Sequence, residues 1–132
     1  MNFKRIVITA SLVALSVVTP SLYASASEKV SIVNCLSITS APKELVIACG
    51  DGNRFISNIH WSKWGATSAT ATGTLNWNDC SPTCAAGHFH TKPLAFSATK
   101  IVAYKGVRVY SELIGPKNTW TTNSTTWSLL PG

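Results

Sequence analysis

Residues 69–78 read Ala69-Thr70-Ala71-Thr72-Gly73-Thr74-Leu75-Asn76-Trp77-Asn78. Small and apolar positions alternate without a break with Thr and Asn. Successive side chains of a strand point to opposite faces, so this stretch predicts a half-buried β-strand with Ala69, Ala71, Gly73, Leu75 and Trp77 inward. Threonine suits the outer face because its branched Cβ packs well on a pleated surface. No stretch after residue 26 carries a helical repeat of apolar residues.

The same period extends outward along the chain. In residues 54–61, Phe55, Ile59 and Trp61 oppose Arg54, Asn58 and His60. Further on, Val107, Val109 and Leu113 oppose Arg108, Tyr110 and Glu112. Weaker strands fit residues 29–36, 44–49, 94–104 and 119–129, with turns at Gly50-Asp51-Gly52-Asn53 and Lys105-Gly106. About seven short strands at this spacing predict an all-β fold, a small antiparallel β-sandwich or barrel.

The first 26 residues have a different character. Lys4 and Arg5 precede an uncharged, mostly apolar run from Ile6 to Val18, Pro20 breaks it, and Ala24-Ser25-Ala26 offers a small-x-small cleavage pattern. This reads as a secretory signal peptide over residues 1–26, followed by a single β domain over residues 27–132. The apolar run is shorter than the roughly 18 residues a membrane-spanning helix needs. The mature chain of 106 residues then has nine Lys and Arg against five acidic residues, a net charge of +4. Its basic residues are dispersed singly, so no run marks a nucleic-acid or membrane patch.

Cys35, Cys49, Cys80 and Cys84 all follow the signal. An even count in a short exported chain reads as two disulfides, and four cysteines allow three pairings. Cys35–Cys49 with Cys80–Cys84 is the preferred pairing, and crossed pairings stay open at the level of sequence.

Three segments taken together carry a resemblance: Cys49-Gly50-Asp51-Gly52-Asn53, then Ile59-His60-Trp61-Ser62-Lys63-Trp64-Gly65, then Asn78-Asp79-Cys80-Ser81-Pro82-Thr83-Cys84-Ala85-Ala86-Gly87-His88. Over about residues 49 to 90 the chain resembles a group of small exported actinobacterial proteins with a CxDxN turn, a WxxWG segment and an NDCxPxCAxG loop. The resemblance implies an exported protein, released or held at the cell wall, and carries over no catalytic residue.

Candidate chemistry is sparse. In a strand, His88 and His90 would share a face, with Phe89 opposite in the core; adding His60 would complete the three nitrogen ligands of an open zinc site. The weightier reading makes them surface histidines, because nothing in sequence brings His60 to the pair. Cys80 and Cys84 with His88 could also bind zinc, but an oxidising exterior favours the disulfide. Asp51 and Asn53 start like a calcium loop, yet Arg54 follows and the closing Glu is missing. Asp79 reads as a loop residue bonding its own backbone, or as an acid/base group. No nucleophile elbow, P-loop, dinucleotide fingerprint or HExxH motif occurs.

Trp61 and Trp77 fall on apolar strand faces, whereas Trp64 precedes Gly65 at a strand end where an indole could stack on a ligand. The expected function is therefore a secreted β module that binds a glycan, wall polymer or protein outside the cell. Trp64, Arg54 and His60 are its candidate ligand surface, and no cofactor is implied. The alternatives are a metal hydrolase using His60, His88 and His90, or a protease inhibitor presenting the Cys80–Cys84 loop. Mass spectrometry of the exported protein is expected to find Ser27 at the mature N-terminus; a retained apolar segment would mean a tethered protein instead.

Overall fold

The computed structural model describes residues 29–121 and 123–132. The expected signal peptide and its cleavage site lie outside the described residues. Eight strands follow in order: β1 (Ser31–Asn34), β2 (Ser37–Thr39), β3 (Leu45–Val46), β4 (Arg54–Trp64), β5 (Ala69–Asn78), β6 (Phe89–Tyr104), β7 (Val107–Ile114) and β8 (Thr126–Ser128). They form one sheet in the order β2-β1-β7-β6-β5-β4-β3, with β8 also paired to β7. The all-β class and both expected disulfides, Cys35–Cys49 and Cys80–Cys84, are present. One ladder departs from the antiparallel rule, since β1 runs parallel to β7 through Ser31–Val109 and Ile32–Tyr110.

The sheet curls into a half-barrel because β4, β5, β6 and β7 are joined as a meander. Strand β6 serves both halves: Phe89–Ala98 pairs with β5 and Ser97–Tyr104 with β7. The β6–β7 hairpin turns on Lys105 and Gly106, both at positive φ (50° and 76°). Positive φ at both central residues is the type I′ geometry whose twist matches the flanking strands. Strand β5 keeps the alternation its sequence announces, with Ala69, Ala71 and Leu75 buried on the concave face.

Two of the expected alternations are corrected. Ile56, rather than Phe55, is the fully buried partner of Ile59. The β4–β5 ladder slips once between Ser57 and His60 and again between Trp61 and Lys63. Asn58 at φ 52° supplies the first extra residue, and each extra residue flips the side chains that follow. Phe55 instead meets Phe89 at 6.0 Å between ring centroids. In β7, Tyr110 joins Leu113 in the main core cluster, whereas Val109 is buried outside it. The cause lies at Lys100, whose φ is 57°. Its carbonyl accepts a hydrogen bond from Ser111 Oγ at 2.7 Å, and the direct ladder pair between residues 100 and 111 is missing.

The two edges of the curled sheet meet without a ladder, and side chains join them. At the end of β1, Asn34 Oδ1 accepts from Val46 N–H at 2.9 Å and Asn34 Nδ2 donates to the Glu44 carbonyl at 3.1 Å. A strand residue opposite Leu45 in a parallel ladder would bond the same two groups. Next to it Cys35 is bonded to Cys49, with Cα atoms 5.5 Å apart. Farther along, Trp64 Nε1–H donates to the Val30 carbonyl at 3.0 Å and Trp61 Nε1–H to Pro42 at 2.8 Å. The Tyr110 hydroxyl donates to the Gly65 carbonyl. Ile32, Leu45, Ile56, Leu75, Leu113 and Trp120 fill the interior behind this seam.

Asn34→Ala removes the hydrogen bonds to the Glu44 carbonyl and the Val46 N–H, so urea unfolding is expected to show a loss of about 0.5–1.5 kcal/mol. Cys35→Ser/Cys49→Ser is expected to lower the melting temperature more than Cys80→Ser/Cys84→Ser. The longer loop restrains the unfolded chain more, worth on the order of 3 kcal/mol in the chain-entropy account. Equal or reversed effects would contradict that weighting.

Candidate functional site

At one mouth of the half-barrel, three strands present a cross-strand row. Arg54 in β4 pairs with Trp77 in β5, and Trp77 pairs with His90 in β6. Residues directly opposite in adjacent strands share a face, here the concave one that carries Leu75. Trp77 is half-buried and packs against the core cluster, and its ring stacks on His90 at 5.5 Å and 24°. Lys92, opposite Leu75, places its ammonium 5.8 Å from the Trp77 ring centroid. Arg54 is held by its own Nη1–H, which donates to the Thr119 carbonyl at 2.6 Å. Together Arg54, Leu75, Trp77, Lys92 and Asn118 enclose a pocket of about 210 Å³.

The loop between β5 and β6 anchors one side of this mouth. Asn78 spans it from below: its Nδ2 donates to the Cys84 carbonyl at 2.8 Å and to Asn53 Oδ1 at 3.1 Å, while its Oδ1 accepts from Cys80 N–H at 2.9 Å. Asp79 completes the hold. Its Oδ1 accepts from Ser81 N–H at 3.1 Å and from His88 N–H at 3.0 Å, and its Oδ2 lies 2.9 Å from His90 Nε2. The His90 hydrogen bond first, and then the backbone N–H groups of His88 and Ser81, hold the Asp79 carboxyl well below the usual carboxylate range. Gly87 is needed where these groups crowd together, because a Cβ there would sit 2.2 Å from Asn78 Oδ1.

The residues singled out in sequence do not form one surface. Arg54 and Trp64 stand at opposite ends of β4, on the order of 30 Å apart at the rise of an extended strand. Trp64 is half-buried, its indole bonded to Val30 and its ring edge-to-face with Trp61 and Tyr110 at 4.6 and 5.2 Å. His60 pairs with Thr72, which pairs with Ala95. It therefore lies on the convex face, five positions along β6 from His90. His88 is exposed just before β6 begins. Among the described residues no group of three His, Cys, Asp or Glu converges on a metal position. Phe89 is 54% exposed rather than a core residue.

Lys92 carried no signal in sequence, and Trp77 read as core because period two shows the face of a strand but not how near its end a residue lies. A second depression, of about 680 Å³, runs between the β1–β2 turn and the C-terminal segment. Leu36, Val46, Leu129 and Pro131 are among its lining residues, and Leu36 is 91% exposed. No family model, curated protein or solved structure matches the chain, so its own geometry carries the functional reading.

Chemically the mouth offers donors and one aromatic face. Asn118 Oδ1 accepts from Asn123 N–H at 2.6 Å, and its amide NH₂ is a donor at the mouth. The Asp79–His90 pair fastens the loop to β6. A carboxyl with a depressed pKa contributes stability above its unfolded value, near 3.9, and loses that contribution as pH falls through the folded value. Asp79→Asn is therefore expected to melt below the wild type at neutral pH, with the gap closing as pH drops under about 4. A gap that does not narrow as pH falls from about 4 toward 2 would rule out this role for the carboxylate.

Proposed function

We propose that this chain is an exported, disulfide-stapled β module, akin to the small actinobacterial proteins it resembles, that binds a ligand outside the cell or in the cell envelope. Two disulfides support the oxidising compartment. Among the described residues no helix is long and apolar enough to cross a membrane. The observation that carries the binding reading is the row Arg54–Trp77–His90 with Lys92 beside it. It gathers two cations and an accessible aromatic ring at a barrel mouth, a usual place for ligand sites.

The binding residues are thus Arg54, Trp77 and Lys92; of the surface expected from sequence, Arg54 is retained, while Trp64 serves the seam and His60 faces the other way. A metal hydrolase built on His60, His88 and His90 has no converged ligand set. A protease inhibitor would use the exposed residues 81–86. We rank it second, since Cys80–Cys84 curls that loop into a tight ring and a strand-like inhibitory segment needs extended backbone.

Retention of purified exported protein on isolated cell-envelope material tests the proposal. Trp77→Ala is expected to lose most retention with a modest drop in melting temperature. Trp64→Ala is expected to lower the melting temperature strongly, because it removes a packed ring and a seam hydrogen bond. The charge-dependent share of retention should fade as salt rises. If Trp77→Ala is retained like the wild type, the mouth is not the binding surface.

A further inference from the structure

We infer that the mouth is an oxyanion site, taking the carboxylate or phosphate of an acidic saccharide whose ring lies against Trp77. This rests on the binding reading above and names its ligand class. Every polar side chain lining the pocket carries donors: the Arg54 guanidinium, the Lys92 ammonium and the amide of Asn118, whose oxygen accepts from Asn123 N–H. Arg54 spends one N–H on the Thr119 carbonyl. That contact fixes the fork and leaves its other N–H groups without a partner among the described residues. A guanidinium so oriented suits two oxygens of one carboxylate or phosphate.

The charges point the same way. Neither Arg54 nor Lys92 has a carboxylate partner among the described residues, where the ion pair recorded is His90 with Asp79. Both side chains are half-buried. Two like charges beside an apolar floor, Leu75, repel each other less once an anion sits between them, and the partly shielded position strengthens that attraction relative to open water. Asp79, the acidic residue next to the mouth, is committed to His90, His88 and Ser81 and leaves the pocket cationic.

Size and shape narrow the ligand further. About 210 Å³ is too small for a bulky ligand and suits one charged group with part of one ring. The indole offers a flat apolar wall for the C–H face of a sugar.

The test titrates the exported protein at low salt with galacturonic acid, glucose 1-phosphate and glucose, following the Trp77 indole N–H resonance and the heat of binding. Saturable shifts with either acidic sugar and none with glucose are expected, and the tighter acid identifies the carboxylate or phosphate source. Lys92→Gln and Arg54→Gln should each weaken that binding about tenfold. Lys92→Gln, which breaks no hydrogen bond of the fold, should melt like the wild type. Shifts of equal size with glucose, or acid binding indifferent to both substitutions, would overturn the inference. If no acid binds while Trp77-dependent envelope retention persists, the oxyanion assignment falls and the binding reading stands. If acids bind at Trp77 but envelope material is not retained, the reverse holds.

Discussion

The side-chain amide of Asn34 closes this protein. A sheet of short, twisted strands left open would expose the backbone edge of β3 and leave it unbonded to the β1–β2 end of the sheet. Asn34 replaces a missing ladder by bonding Glu44 and Val46, and Cys35–Cys49 locks the adjacent residues across the same gap. Behind that seam Ile32, Leu45 and Ile56 are wholly shielded from water. Trp61 and Trp64 finish the closure farther along, each satisfying its indole N–H on a backbone carbonyl. Buried aromatic rings with one polar handle suit such a place, since they exclude water and still bond across the gap.

Closure at the seam leaves the chemistry at the mouth. The row of Arg54, Trp77 and His90 depends on the β4–β5 and β5–β6 registers, and the loop that turns β5 into β6 is fastened beside it. Asn78 and Asp79 do that work through their side chains. The disulfide Cys80–Cys84 therefore has a different task from its counterpart: it shapes a loop, whereas Cys35–Cys49 joins two edges.

Much of the fold was legible in residues 69–78, where ten positions alternate without error. The cysteine pairing preferred in sequence is the one present, although spacing alone left crossed pairings open. Less visible were the places where one residue changes parity. Asn58 and Lys100 both adopt positive φ inside strands, and a local alternation pattern does not announce such a residue. Phe55 and Tyr110 were misplaced for this reason. The two tryptophans exchanged roles for another: Trp64 looked terminal in sequence but meets the returning edge of the sheet, and Trp77 looked central but lies at the rim. Closure of the sheet is a long-range event, and periodicity is blind to it.

The parallel pairing of β1 with β7 also sets an order of assembly. The meander from β4 to β7 is built from neighbours in sequence, whose loops close at little entropic cost. Strand β1 pairs locally with β2, but it joins the meander only through Val109 and Tyr110, near the far end of the chain. Chains emerge N-terminus first, so β1 exists long before β7 does. Until then the β1–β2 hairpin lacks the β7 edge that completes the burial of Ile32 and Val33 in the finished fold. Rapid local formation of the meander shortens that interval, and the slow, non-local step is the docking of the first strand.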